Sequence, residues 1–260
     1  MAIIKKTPEQ IELMAAAGDV HAKTMNLVAG KIRPGVTTLE LDQAAEKFIR
    51  SQGCEPAFKG YRGFPGSICA SPNSMVVHGI PGPYRLERGD ILSVDIGVVK
   101  DGWVADGACT FGVGPISPVA QKLLAVTEEA LHLAVPQCVA GNHLGDIGHA
   151  IQRYVEDENG FSIVRTLVGH GIGRDMHEDP QIPNYGKPGT GVLLEEGMVL
   201  AVEPMVTVGR HQVRMADDHW SIFSADGSLA AHFEFTIAIT ADGPRILTPW
   251  HEASGGRAAA

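Results

Sequence analysis

Several signatures that would place a sequence quickly are missing from these 260 residues. The four cysteines, Cys54, Cys69, Cys109 and Cys138, form no C-x-x-C pair, which excludes a zinc knuckle and a thioredoxin-type motif; without an export signal they are expected as reduced thiols. No apolar stretch approaches the roughly 18 residues of a membrane helix. Lys5-Lys6 runs into Thr7-Pro8-Glu9-Gln10 instead of an apolar segment, so no signal peptide is expected and the chain is placed in the cytoplasm. Surplus positive charge is also lacking: the formal net charge is −9, without a long run of like charges, which argues against a nucleic-acid-specific or membrane surface. There is no G-x-S-x-G, no G-x-x-x-x-G-K and no H-E-x-x-H, and Gly169-His170-Gly171-Ile172-Gly173 resembles a nucleotide loop only superficially. What is present is 44% hydrophobic content, ample for a sizeable core without disulfides.

Thr7-Pro8-Glu9-Gln10 supplies an N-cap, a proline at the first helical position and a capping-box Gln, predicting a helix up to Gly30 with Ile11, Met14 and Ala15 at helical spacing. Thr37-x-x-Glu40 opens a second, with Leu41, Ala45, Phe48 and Ile49 on one face and Gly53 at its end. Strands are predicted over 68–77, 91–99 and 103–111. The order then recurs: Ser117-Pro118 opens a helix to about Val135, another spans 144–155, and strands follow to Leu247. A shift of 106 residues aligns Gly35 with Gly141, Leu41 with Ile147, Ala45 with Ile151 and Phe48-Ile49 with Tyr154-Val155. Two such halves, about 1–115 and 116–250, predict a single α+β domain with a central antiparallel sheet and a cleft between the halves, followed by a flexible tail over 251–260.

Acids interrupt the apolar strands. Asp101-Gly102 is a two-residue hairpin signal, and with that turn paired positions sum to 203, so Asp106 faces Gly97 and Asp95 lies diagonally across, roughly 7–8 Å away at Cα. Taken alone, this is as compatible with a surface hairpin carrying two exposed aspartates. Glu203 in Leu200-Ala201-Val202-Glu203-Pro204-Met205 and Glu234 in His232-Phe233-Glu234-Phe235-Thr236-Ile237 argue otherwise, since acids flanked by Val, Phe and Ile are rarely solvated. His170 adds an imidazole in a glycine-rich turn after the apolar run 163–168. Four carboxylates and one neutral imidazole balance two divalent cations. The donor set is oxygen-rich and thiolate-free, which suits Mn, Fe(II) or Co as well as Zn, and excludes a structural zinc knot. Paired ions of this kind activate water and polarise a carbonyl or phosphoryl oxygen, so hydrolysis is the expected chemistry.

In the contexts VDIGVVKDGWVADGACTF, GHGIGRDMHEDP, MVLAVEPMV and HFEFTIAIT, these residues resemble the type I bacterial methionine aminopeptidases from about residue 4 to 248. The resemblance implies the pita-bread fold with pseudo-twofold halves, and removal of the initiator methionine from nascent proteins and peptides when the second residue is small. It implies that Asp95 chelates one ion, that Asp106 and Glu234 bridge, and that His170 and Glu203 bind the other. It further implies that His78 contacts the scissile amide, that His177 contacts the peptide carbonyl, that Glu203 shuttles a proton, and that Phe58, Tyr61, Phe64, Cys69, Met176 and Trp220 line the methionine pocket. A monovalent cation held by carbonyls near Asn73, Met75 and Ala230, a transient ribosome contact and a monomeric state are expected on the same ground.

The sequence departs from that pattern at three places. Phe235 stands where a histidine commonly follows the bridging glutamate, Gly97 where a hydroxyl residue is often found, and Phe58 where a smaller residue sits, so tuning of the centre and pocket shape are open. No N-terminal extension is seen, which suggests the minimal catalytic form. Proline-specific aminopeptidases and prolidases share the five ligands but usually carry an extra N-terminal domain, and a noncatalytic binding protein of the same fold is the other alternative. Retention of every ligand and of His78 and His177 counts against the latter.

Overall fold

The computed structural model describes residues 3–253. Its first helix, α1 (Pro8–Ala29), starts where the cap requires: the Thr7 N–H donates to Gln10 Oε1 at 3.0 Å and the Gln10 N–H to Thr7 Oγ1 at 3.3 Å. α2 (Thr38–Ser51) repeats the device with Thr37 and Glu40. The strands β1 (Glu55–Pro56), β2 (Ile68–Pro72), β3 (Met75–Val77), β4 (Ile91–Lys100) and β5 (Trp103–Gly112) follow. The single strand predicted over 68–77 is divided in two, because Asn73 takes a left-handed φ of 56° between β2 and β3.

The second half opens with α3 (Pro118–Ala134) and α4 (Leu144–Gln152), and the starts of α2 and α4, at 38 and 144, carry the 106-residue offset of the repeat. The helix predicted to reach 155 changes at Arg153 into a π-helical stretch, Arg153–Glu158. Short strands follow: β6 (Ser162–Ile163), β7 (Gly169–Gly171), β8 (Glu178–Ile182), β9 (Val199–Val202), β10 (Met205–Thr207), β11 (Val213–Met215), β12 (Ile222–Ser224), β13 (Ala230–His232), β14 (Phe235–Thr240) and β15 (Gly243–Ile246). A last helical turn, α5 (Trp250–Ala253), begins where the tail was expected; His251 packs against Phe235, and residues 254–260 of that tail lie outside the described residues.

β4 is the spine of the first sheet, with β5 on one edge and β1 and β2 on the other. The second sheet runs β15-β14-β9-β7-β8, antiparallel throughout. The two meet along a seam where β5 lies beside residues 232–236. There the Glu234 N–H donates to the Ala108 carbonyl at 2.9 Å, the Thr236 hydroxyl to the Asp106 carbonyl at 2.8 Å, and the His232 N–H to the Thr110 hydroxyl at 2.9 Å. β3 of the first half also pairs with β12 of the second. Helices cover the sheets: α1 packs on β4 and β5 and α3 on β10 and β13, burying Met14, Met25, Val28, Leu123 and Leu131 completely, each worth about 1.5–3 kcal/mol. All four cysteines are buried and unpaired, as expected. Among the described residues no helix is long and apolar enough to cross a membrane.

Candidate metal centre

The β4–β5 hairpin has the register read from its turn: Lys100 faces Trp103, Gly97 faces Asp106, and the turn residues Asp101 and Gly102 have φ of 52° and 75°, as a two-residue hairpin loop of this hand requires. Asp95 and Asp106 therefore share a face, close enough that the ionisation of one carboxyl affects the other. Asp106 is fixed at both backbone atoms, its N–H donating to Thr236 Oγ1 at 3.1 Å and its carbonyl accepting from the same hydroxyl.

The other three candidate ligands come from the second sheet. Phe235 faces Val202 in the β9–β14 ladder, so Glu203 and Glu234 sit together just past its end, where Pro204 stops the strand. His170 lies at the centre of β7, clasped between β8 and β9. The glycines on either side explain that fit: a Cβ on Gly169 would lie 2.3 Å from the Ala201 carbonyl oxygen and one on Gly171 2.2 Å from that of Asp179. His170 Nδ1 is 2.9 Å from the Gly171 carbonyl and donates to it, which turns the Nε2 lone pair toward the acids, 3.6 Å from Glu203 Oε1 and 4.0 Å from Asp106 Oδ2. Donor atoms of Asp106, His170 and Glu234 all lie within 4.8 Å of one another, as do those of Glu203, His232 and Glu234.

Buried acids this close oppose one another's ionisation. Burial first, then the neighbouring carboxylates, hold Asp95, Glu203 and Glu234 well above the usual carboxylate range, and burial pushes Asp106 up to about 7. Among the described residues their charged neighbours within 4.0 Å are imidazoles only, and burial lowers His170 to about 4, so it is neutral and offers no compensation. Asp95 Oδ1 and Glu234 Oε1 are buried without a hydrogen-bond partner. Unpaired oxygens, a neutral imidazole presenting Nε2 and uncompensated acids all fit divalent cations. Because the carboxyls hold protons that a cation must displace while the neutral imidazole of His170 already presents a free nitrogen, adding Mn²⁺ to metal-free protein near pH 7 is expected to release protons. Titration calorimetry in two buffers of different ionisation enthalpy measures this, and identical heats in both would contradict it.

The five residues line a cavity of about 190 Å³ together with His78, His177, Phe58, Tyr61, Arg62, Phe64, Cys69 and Trp220. Met176, expected in the pocket wall, is not among the residues that line the cavity; it is buried in the same cluster as Phe58. His177 is stacked on Tyr61, whose hydroxyl meets Nδ1 at 2.8 Å, and its ring lies 4.4 Å from that of His170. Burial lowers the pKa of both His177 and His78, the latter to about 4. His78 holds a left-handed φ of 59°, strained backbone of the kind found where function fixes a side chain. The Cys69 thiol is raised well above its ordinary value, by burial and by Asp95, so it acts as a small apolar wall.

Two of the sequence departures explain each other. A Cβ on Gly97 would lie 2.8 Å from Phe58 Cε1 and 2.9 Å from Met176 Cε, so the Phe58 ring fills the room a side chain at 97 would occupy. Phe235 points away from the acids into a buried cluster with Trp250 (5.0 Å) and His132 (5.4 Å), because side chains alternate along β14 and Glu234 takes the inner face. Asn73 and Ala230 are brought together, the Ala230 N–H donating to the Asn73 carbonyl at 2.9 Å. Sequence reasoning missed His232 and Arg62; the His232 signal was its place two residues before Glu234, on the same strand face.

Residues 12–241 match Metallopeptidase family M24. The methionine aminopeptidase of Clostridium perfringens is 52% identical over 246 residues, 95% of this chain and 98% of that protein, and methionine aminopeptidase 1 of Bacillus subtilis is 52% identical over 95% of this chain and 99% of that one. The crystal structure of the Thermotoga maritima methionine aminopeptidase superposes with a TM-score of 0.93 at 45% identity, covering 95% of this chain and 99% of that one. The Pyrococcus furiosus prolidase has a TM-score of 0.77 at 24% identity, which shows a shared fold alone, and this chain covers 65% of its length. The architecture is the pita-bread fold, and the chain belongs to the M24 metallopeptidases, among their methionine aminopeptidases.

Proposed function

We propose that Asp95, Asp106, His170, Glu203 and Glu234 would hold two divalent ions, and that the adjoining cavity takes the side chain of an N-terminal methionine. The chain is a metal-dependent methionyl aminopeptidase that removes the initiator methionine from peptides and nascent proteins. The observation that carries the site assignment is the convergence of four buried carboxylates and His170 Nε2 in one cavity whose remaining wall is Phe58, Tyr61, Phe64, Cys69 and Trp220. That wall suits one long unbranched apolar side chain.

Bound divalent ions supply an activated water and a Lewis acid for the scissile carbonyl; oxygen-rich donors with imidazole suit Mn, Fe(II), Co and Zn. Glu203 would take up the proton that the attacking water loses and pass it to the leaving amine. With the Tyr61 hydroxyl donating to His177 Nδ1, the ring proton sits on Nε2, the atom that donates to the substrate carbonyl oxygen. Neutral His78 faces the scissile amide, 6.5 Å ring to ring from Trp220. A second cavity of about 140 Å³, lined by Val77, Leu167, Val168 and Met205 together with His78, His177, Glu203 and His232, receives the residue after methionine. Its small volume supports a preference for small second residues.

His177→Ala is expected to lower the rate with metal content unchanged, whereas His170→Ala is expected to lower metal content itself, because only His170 presents its free nitrogen among the acids. Metal analysis beside the assay checks this, and equal metal loss in both variants would show one histidine misplaced. Assay of Met-Ala-Ser and Ala-Pro-Ala peptides with Mn²⁺, Fe²⁺ and Co²⁺ in parallel tests the reaction. Cleavage of the first alone is expected; preferential cleavage of the second would favour the proline-specific reading.

A further inference from the structure

His232, at the end of β13, belongs to none of the roles above, yet its ring is buried, 2% exposed, beside the acids. Nε2 stands 3.5 Å from Glu203 Oε2 and 3.8 Å from Glu234 Oε2, and neither ring nitrogen has a hydrogen-bond partner. These separations exceed the roughly 2.7–3.2 Å of an N–H···O hydrogen bond. They suit two donors on one cation: ligands about 2.1 Å from an ion stand about 3.0 Å apart at octahedral and about 3.4 Å apart at tetrahedral angles. A buried histidine with a purely structural role pairs at least one nitrogen, as His21 does with the Gly107 carbonyl at 3.0 Å.

We propose that His232 Nε2 is a sixth metal ligand, completing an N,O,O set with Glu203 and Glu234, so that the centre brings two imidazoles, His170 and His232, to its two ions. The backbone holds the ring in place: the His232 N–H donates to Thr110 Oγ1 at 2.9 Å and its carbonyl accepts from the same hydroxyl at 2.8 Å, while Met205 pairs with it across β10. The ring also forms part of the wall of the second cavity. A second nitrogen donor favours Co²⁺ and Zn²⁺ over Mn²⁺ more than a single imidazole does.

This inference rests on the proposed five-residue centre, and the experiment separates the two. Metal-free protein is titrated with Co²⁺, and X-ray absorption at two equivalents counts imidazoles per cobalt, in wild type and in His232→Gln, with circular dichroism as the check on folding. The expected wild-type average is one imidazole per cobalt, falling to one half in His232→Gln, with Co²⁺ affinity at one of the two sites lower by about 10- to 100-fold. Two cobalt ions sharing a single imidazole in wild type, which needs no variant, or an unaltered titration and imidazole count in the folded variant, would overturn the His232 assignment and leave the five-residue centre standing. Failure of wild type to bind cobalt would overturn both. Should His232→Gln not fold, His232→Asn replaces it.

Discussion

Replacing Asp106 by Asn is expected to lower methionine release by at least about two orders of magnitude, since a neutral amide cannot serve two dications as a carboxylate does. The fold should survive. The backbone bonds of Asp106 to Thr236 do not involve the carboxyl, and an amide oxygen can still accept the Gly107 N–H that now meets Oδ1 at 3.0 Å. The metal-free variant should even be the more stable protein above neutral pH. Asp106 has a folded pKa of about 7 against an ordinary 3.8, so the folded state binds the proton more tightly, and the stability this group contributes is full below that lower value and lost as pH rises through about 7. The melting temperature of metal-free Asp106→Asn relative to metal-free wild type should therefore rise between pH 5 and pH 8. A falling difference, or retained activity with two ions bound, would contradict the role given to this carboxylate.

Gly171→Ala is expected to be strongly destabilising. The new Cβ would lie 2.2 Å from the Asp179 carbonyl oxygen and 3.2 Å from that of Glu178, backbone atoms that cannot swing aside. Such overpacking costs about 3 kcal/mol, or a fall of about 6–12 °C in melting temperature for a chain of this size. The same shift would move the carbonyl that orients His170 Nδ1, so metal affinity should fall together with stability. Gly30→Ala is the control: its added methyl meets nothing closer than 3.5 Å and the residue has a helical φ of −64°. Melting both variants beside wild type decides the matter, and an unchanged transition for Gly171→Ala would remove the steric account of the glycine–histidine–glycine run.

The hairpin was legible because a two-residue turn fixes register and register fixes faces, so Asp95 and Asp106 could be placed before any coordinates. Helix starts were legible because Thr7 and Thr37 carry their caps in the sequence. What escaped was set by contacts between distant segments. The glycines beside His170 are required by carbonyls of β8 and β9, some tens of residues removed at the nearer edge of β9, and nothing local announces that. Phe58 and Gly97 read as two unrelated departures until their shared volume appears, and Met176 reads as a wall residue until it is found buried beside Phe58 and outside the cavity lining. His232 looked like an ordinary strand residue because its meaning depends on a seam between halves. The break at Asn73 was missed because one left-handed residue interrupts an otherwise uniform β pattern.

The measurement closest to the central claim is methionine release from Met-Ala-Ile-Ile and Met-Lys-Ile-Ile by protein stripped of metal and then resupplied with it. A bulky second side chain that cannot be seated beside Val77, Leu167 and Met205 displaces the reacting carbonyl, and about 1 Å of displacement costs roughly 10²-fold in rate. The account predicts no release from either peptide without metal, and with metal release from Met-Ala-Ile-Ile faster by about that factor. Comparable release from both peptides, release that persists without metal, or removal of alanine from Ala-Ile-Ile at a similar rate would contradict it.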